Sequence, residues 1–185
     1  MFPSAAIVSR ARGVDITTTG SGNPGASNVG RVLGWKSGVV VFILDAAKGA
    51  LAAGGGWLVD GRATAYICVI AAALGHMYPM LRRYGSQRFA GGKGVATVGG
   101  SMFVLEPIVS AILLGVWFAV SRLTKKASLG SLAIMALLPV GAAVAGSPGW
   151  EVAAITTLCA LVMLKHVPNI RRLIKHEELE LGKDH

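Results

Sequence analysis

Acidic residues are what this chain has least of: nine Asp and Glu in 185 residues, against eighteen Lys and Arg. Asp60 has no acidic neighbour, which argues against a metal site built there on an array of carboxylates. Charge of either sign is sparse at 15%, and aromatic residues supply only 6%. Cations without interleaved aromatics make nucleic acid a poor partner. The two cysteines, Cys68 and Cys159, each sit inside an apolar run. They read as small packing residues in lipid-embedded helices and indicate neither a disulfide framework nor a zinc site. No metal and no other cofactor is expected. No cleavable leader is expected either, because the first apolar run is short and has no basic lead-in.

What is abundant is apolar surface. The chain is 53% hydrophobic with 25 glycines, and its mean hydropathy is positive. That composition predicts an all-α, polytopic membrane protein with room for roughly six or seven spans of about 20 residues. Apolar runs fall at residues 37–59, 63–81, 94–105, 108–121, 129–145 and 150–164, preceded by a stub at 1–9. The stub is too short to cross a bilayer, so the first span is expected to be short or truncated. Residues 1–185 form a single expected domain, closed by a short polar tail over 174–185. Nothing in the pattern specifies an oligomer.

Charge sets the topology. The run from 94 to 121 is either one kinked helix or two short spans turning at Glu106-Pro107. With two spans, Arg10, Arg12, Arg31, Lys36, Arg82, Arg83, Arg88, Lys93, Arg122, Lys125, Lys126, Lys165, Arg171, Arg172, Lys175 and Lys183 share one side, leaving Lys48 within a span and Arg62 alone opposite. The positive-inside rule selects the hairpin, with that side cytoplasmic. Asp45 and Lys48 stand at i, i+3 inside a span, a spacing that allows them to pair or to support a neighbouring loop.

The polar residues gather in four short segments on that same side. The first, residues 20–31, reads GSGNPGASNVGR. Ser21, Gly22, Asn23, Ser27, Asn28 and Arg31 there combine flexible backbone, hydroxyl and amide groups and a cation, as a phosphate oxyanion requires. The second joins Gly75, His76, Tyr78 and Pro79 to residues 89–97, FAGGKGVAT. It is not a nucleotide P-loop, since Gln87 stands where the first glycine belongs and Gly94 where Ser or Thr belongs. Gly91, Gly92 and Lys93 still place an ammonium group in a glycine setting where a helix begins, which favours an anion. The third is Ser128 to Ser131, where helix-capping serines are the default. The fourth runs from Lys165 and His166 through Asn169 to Arg171 and Arg172. A basic flank of a last span is usually an orientation signal, and His166 and Asn169 are its less expected members.

Taken together these blocks resemble the bacterial acyl-phosphate:glycerol-3-phosphate acyltransferase family of integral-membrane enzymes. The match covers about a third of the chain, in family order. The resemblance implies seven spans, a cytoplasm-facing site in the bacterial cell (inner) membrane, and acyl transfer from acyl phosphate to the sn-1 hydroxyl of glycerol 3-phosphate. It implies that Ser21, Gly22, Asn23, Ser27, Asn28 and Arg31 form one phosphate locus. Gly91, Gly92, Lys93, Ser128, His166 and Asn169 would hold the other substrate. Departures from the family pattern are the short first helix, Ser27 for Thr, a longer and more basic stretch between Pro79 and Phe89, and His176 for Gly, with Glu178 keeping the acidic position. No covalent nucleophile is indicated. The general base would be His76, His166 or a substrate phosphate. Three other readings stand beside this one. A small transporter would need paired mid-span interruptions. A CDP-alcohol phosphotransferase, suggested by Asp60-Gly61-Arg62, would need more acidic ligands. A non-catalytic lipid-binding subunit leaves the two dense polar loops unexplained.

Overall fold

The computed structural model describes residues 2–78 and 91–182, together with the backbone of two short strands between them. Pro79, Arg82, Phe89 and Ala90 of the predicted segments, and Lys183 of the tail, lie outside the described residues. Among the described residues eight helices follow in order: α1 (Ser4–Arg10), α2 (Ala26–Leu33), α3 (Trp35–Met77), α4 (Val95–Leu105), α5 (Pro107–Thr124), α6 (Ala127–Val144), α7 (Gly149–Lys165) and α8 (Val167–Ile174). Between α3 and α4, strands β1 (Arg83–Tyr84) and β2 (Gln87–Arg88) pair antiparallel. The expected helical membrane architecture is present, with this small hairpin added.

By length and apolarity, α3, α5 and α6 each qualify to cross a membrane, and α7 with α8 makes a fourth candidate bent by 57°. The 43 residues of α3 are two helices end to end. Their backbone leaves helical geometry at Asp60 (φ −158°) and Gly61 (φ 72°), and the second of these conformations suits glycine. The break falls where hydropathy separates the runs at 37–59 and 63–81. Glu106 likewise leaves the helix, and Pro107 opens α5, where its missing N–H costs nothing. The stub becomes the seven-residue α1.

The main core joins α3, α4, α5, α6 and α7 through side chains such as Val69, Met77, Val98, Met102, Met135, Ile155 and Leu158. Small residues let α3 and α4 touch backbone to backbone. A Cβ on Gly49 would collide with the Thr97 carbonyl, and one on Gly100 with the Ala46 carbonyl. A second, smaller core of Ala5, Ile16, Val29 and Val41 seats α1 and α2 on the first half of α3.

Arg62 organises one end of the bundle. It donates to Glu106 Oε1 (2.7 Å), Glu151 Oε1 (2.7 Å) and the Leu105 carbonyl (3.1 Å), with a further short contact to Glu151 Oε2. Tyr66 donates to Glu151 Oε2 at 3.1 Å, and Ser147 to Glu106 Oε1 at 3.0 Å. The α3 break, the α4–α5 junction and the α6–α7 turn are therefore tied together. Because α4 starts beside Lys93 at the other end and α5 returns to Lys125, the two form the hairpin that charge selected over a single kinked helix.

Removing the guanidinium strands two buried carboxylates, which costs about 3 kcal/mol when one partner of a buried pair is lost. Arg62→Met is accordingly expected to lower the thermal midpoint in detergent, followed by tryptophan fluorescence. Adding Glu151→Gln should recover part of the loss. An unchanged midpoint in Arg62→Met would show that the cluster does not hold the turns.

Candidate active site

The glycine-dense segment at 20–31 is shaped from within by Asn28, which is 1% exposed. Its amide nitrogen donates to the carbonyls of Thr19 (3.0 Å) and Ile16 (3.3 Å). Its carbonyl oxygen accepts the Ser21 N–H (2.8 Å) and approaches Arg31 Nη1 (3.4 Å). Gly20 has φ 58°, and a Cβ there would strike Asn28 Oδ1. The loop thus closes on its own asparagine, a residue expected to bind substrate. Ser27 is exposed on the first turn of α2.

Opposite that loop, Gly91 and Gly92 lie against the end of α3. A Cβ on Gly91 would meet the Met77 carbonyl, and one on Gly92 would meet His76 Nε2. Lys93 follows, and Gly94 turns through φ 89° to cap α4. Between the two loops is a cavity of about 300 Å³ lined by Ser21, Gly22, Asn23, Pro24, Gly91, Gly92, Lys93, Lys165, Pro168 and Arg172. The structure thereby brings the first, second and fourth sequence segments together.

Six residues expected to contact substrate lie outside that lining: Ser27, Asn28, Arg31, Ser128, His166 and Asn169. Ser128, His166 and Asn169 are buried, and Arg31 donates from Nε to the Glu180 carbonyl at 3.1 Å. Asn169 Nδ2 donates to Glu178 Oε1 (2.6 Å), while its Oδ1 has no hydrogen-bond partner among the described residues. Arg172 Nε donates to Glu178 Oε2 at 2.7 Å. Burial raises the Glu178 carboxyl, but the Asn169 and Arg172 hydrogen bonds outweigh it and keep its pKa below the ordinary value. Ser128 Oγ sits close enough to favour that ionised form without making a full hydrogen bond.

The tail is part of this structure. Glu177 N–H bonds the Arg172 carbonyl (2.8 Å), and His176 N–H the Leu173 carbonyl (3.1 Å). That pair is the Schellman pattern at a helix end, which needs a left-handed residue between. His176, at φ 58°, fills that place where the family pattern has glycine. Leu181 N–H then bonds the Lys125 carbonyl at 2.7 Å. Residues 176–182 therefore fold back over the site, where only a polar tail was expected.

Lys165 and Arg172 were read as orientation signals, yet both line the cavity. Lys165 Nζ also stands 3.9 Å from the centre of the Tyr78 ring. The signal was their register: Lys165, Pro168 and Arg172 recur at helical spacing across the bend. Burial pushes Lys93 down to about 8, with Glu178 raising it and Arg172 and Arg31 lowering it further. His166 Nδ1 lies 2.8 Å from the Val162 carbonyl. A carbonyl only accepts, so in the neutral ring Nδ1 carries the hydrogen and Nε2 is the acceptor. Burial, with a smaller effect from Lys93, pushes His166 down to about 4 against the raising influence of that bond. In the cavity, a lysine near its titration point and the cations Lys165 and Arg172 suit an anion. Among the described residues no cluster of His, Cys, Asp or Glu could hold a metal ion.

Comparison with known proteins agrees with this chemistry. The glycerol-3-phosphate acyltransferase family model matches residues 1–176. A glycerol-3-phosphate acyltransferase of Thermus thermophilus is 36% identical over 188 residues, covering 98% of this chain and 89% of that protein. One of Myxococcus xanthus is 42% identical over 170 residues, covering 90% and 85%. The crystal structure of PlsY, an integral membrane glycerol 3-phosphate acyltransferase, in its glycerol 3-phosphate form superposes with a TM-score of 0.89. That match has 35% identity over 97% of this chain and 88% of that one. The lysophosphatidic acid form gives a TM-score of 0.85 at 35% identity, covering 96% and 87%.

The Lys93 ammonium is charged below its pKa of about 8 and neutral above it, so affinity for a phosphate anion should fall as pH rises through that region. A bound dianion favours the ammonium and moves the fall to higher pH. Titration calorimetry with inorganic phosphate across that range measures this, and Lys93→Met should abolish the alkaline fall. A fall of equal size in the variant would remove Lys93 from the site.

Proposed function

Because the chain belongs to the glycerol-3-phosphate acyltransferase family and is a multi-pass membrane acyltransferase, we propose that it transfers a fatty acyl group from acyl phosphate to the sn-1 hydroxyl of glycerol 3-phosphate. The products are 1-acyl-glycerol 3-phosphate and phosphate, the first step of phospholipid synthesis. The observation that carries this reading is the cationic cavity where Ser21, Asn23, Lys93, Lys165 and Arg172 meet. It is the right size and charge for a phosphate ester and is built from the segments that carry the family resemblance.

In this reaction the hydroxyl oxygen attacks the acyl carbonyl carbon and forms the new ester bond. The bond from that carbon to the phosphate oxygen breaks, and phosphate leaves with the hydroxyl proton. A mixed anhydride has a good leaving group, so positioning and electrostatic stabilisation supply most of what is needed. Lys93, Lys165 and Arg172 hold phosphate charge. Ser21 and Asn23 orient the ester from the facing loop, with Asn28 and Arg31 fixing that loop from behind. His166 is buried beside the lining residues Lys165 and Pro168 and lies outside the cavity wall itself. With its pKa near 4 it is a weak base, which favours a substrate phosphate oxygen as the final proton acceptor. Asn169, likewise buried, holds Glu178. Ser128, beside Glu178, supports the wall that carries Arg172.

The same reading makes residues 1–185 one domain of about seven spans. Its site faces the cytoplasm across the bacterial inner membrane, a placement supported by the one-sided distribution of Lys and Arg. The test is direct. Protein purified in detergent, given palmitoyl phosphate and glycerol 3-phosphate, is expected to release phosphate and form lysophosphatidate. Palmitoyl-CoA and palmitoyl-carrier protein, run in parallel, should give no product. A folded, monodisperse sample that makes none from acyl phosphate would overturn the assignment.

A further inference from the structure

One polar knot lies inside the helices and has no part in the proposed acyl transfer. Ser4 Oγ donates to Asp45 Oδ1 at 2.7 Å, and Lys48 Nζ reaches the same oxygen at 2.6 Å. Ser4 is 1% and Asp45 3% exposed. A carboxylate within a membrane-spanning helix is costly, and such residues are rare and commonly serve a function. Asp45 and Lys48 neutralise each other, but they also face a third group: His76 Nδ1 stands 3.9 Å from that same Asp45 oxygen. His76 is in the last turn of α3. The far side of its ring is the surface on which Gly92 rests, close enough that no Cβ fits between Gly92 and Nε2. Gly91 lies on the backbone carbonyls of His76 and Met77. The next residue is Lys93.

We propose that His76 is a positioning residue: steered by Asp45 on one side, its ring is the floor beneath Gly91 and Gly92 and sets the height at which Lys93 enters the cavity. A ring between a fixed carboxylate and a glycine backbone passes displacement directly to that backbone. Replacing it with a smaller group lets the glycine pair sink and moves the ammonium away from the anion. This role differs from the one expected from sequence, in which His76 was a candidate base. It rests on the reading of the cavity as a phosphate-ester site, and deepens that reading by naming what holds its lysine.

The test uses the full chain in detergent, with glycerol 3-phosphate and inorganic phosphate as calorimetric probes and palmitoyl phosphate as donor in the kinetic assay. His76→Ala and His76→Asn both remove the part of the ring under Gly92. Each is expected to weaken binding of both probes about tenfold or more, and to raise KM for glycerol 3-phosphate more than it lowers kcat. His76→Gln, whose amide reaches the position of Nε2, should bring binding back to within about threefold of the parent and leave the shape of the kcat pH profile unchanged. Asp45→Asn should weaken binding in the parent but add less than about twofold to His76→Ala, since the two act in series. His76→Asn carries the test if the alanine variant fails to fold. Parent-like binding and kinetics in the alanine or asparagine variant would overturn the proposal. So would a large loss of kcat in His76→Gln with binding intact and the acid limb of its pH profile gone. If the parent binds phosphate but not glycerol 3-phosphate, the substrate reading fails and the phosphate titrations still decide the role of His76. If it binds neither, both fail.

Discussion

The contact of α3 with α4 through glycine is the constraint from which the site follows. Gly49 and Gly100 allow two backbones to touch where any side chain would force them apart. Because α4 has only eleven residues, its register against α3 decides where its first turn stands, and with it Lys93. The same register brings Gly91 and Gly92 onto His76 and Met77. Between helices in lipid, dispersion and close fit supply the attraction that water would otherwise drive. Abundant glycine in a chain with little charge is therefore a packing device in the bundle as much as a binding device in the loops.

Charge is scarce here, and the structure divides it between two ends. At one end Arg62 meets Glu106 and Glu151, and the pairing joins three turns. At the other, Lys93, Arg172 and Arg31 approach the buried carboxylate of Glu178, with Lys165 beside them on the cavity wall. The first arrangement is balanced and suited to holding helices together. The second gathers Lys93, Lys165 and Arg172 on one cavity wall, and those cations are what an anionic ligand would meet. Asp45 and Lys48 form a third, self-neutralising pair between the ends.

Much of this was legible in the sequence, for a definite reason. Lipid penalises unpaired backbone and charge, so the breaks at Gly61, Glu106-Pro107 and Pro148 show in hydropathy as well as in the helices. The convergence of the glycine segment, the Gly-Gly-Lys segment and the Lys165 to Arg172 segment followed from topology and the family resemblance. What could not be read were choices between equivalent uses of one residue type. Asn28 has the groups to bind a ligand, but the carbonyls of Ile16 and Thr19 claim its amide. Arg62 looked like a lone cation because its partners lie 44 and 89 residues away. Lys165 and Arg172 satisfied a topology rule and so drew no further notice.

The half-length α4 also sets a depth. Trp35 precedes Gly49 by about 14 residues, a helical rise of about 21 Å, while Val95, the first residue of α4, precedes Gly100 by about 5, or roughly 7.5 Å. Since Gly49 and Gly100 lie on the same α3–α4 contact, the start of α4 stands about 13 Å further along the bundle than Trp35, which is 71% exposed and suited to a headgroup layer. The cavity then lies back from the level of Trp35 along the bundle. The short helix thereby sets Lys93 back from the rim of the bundle.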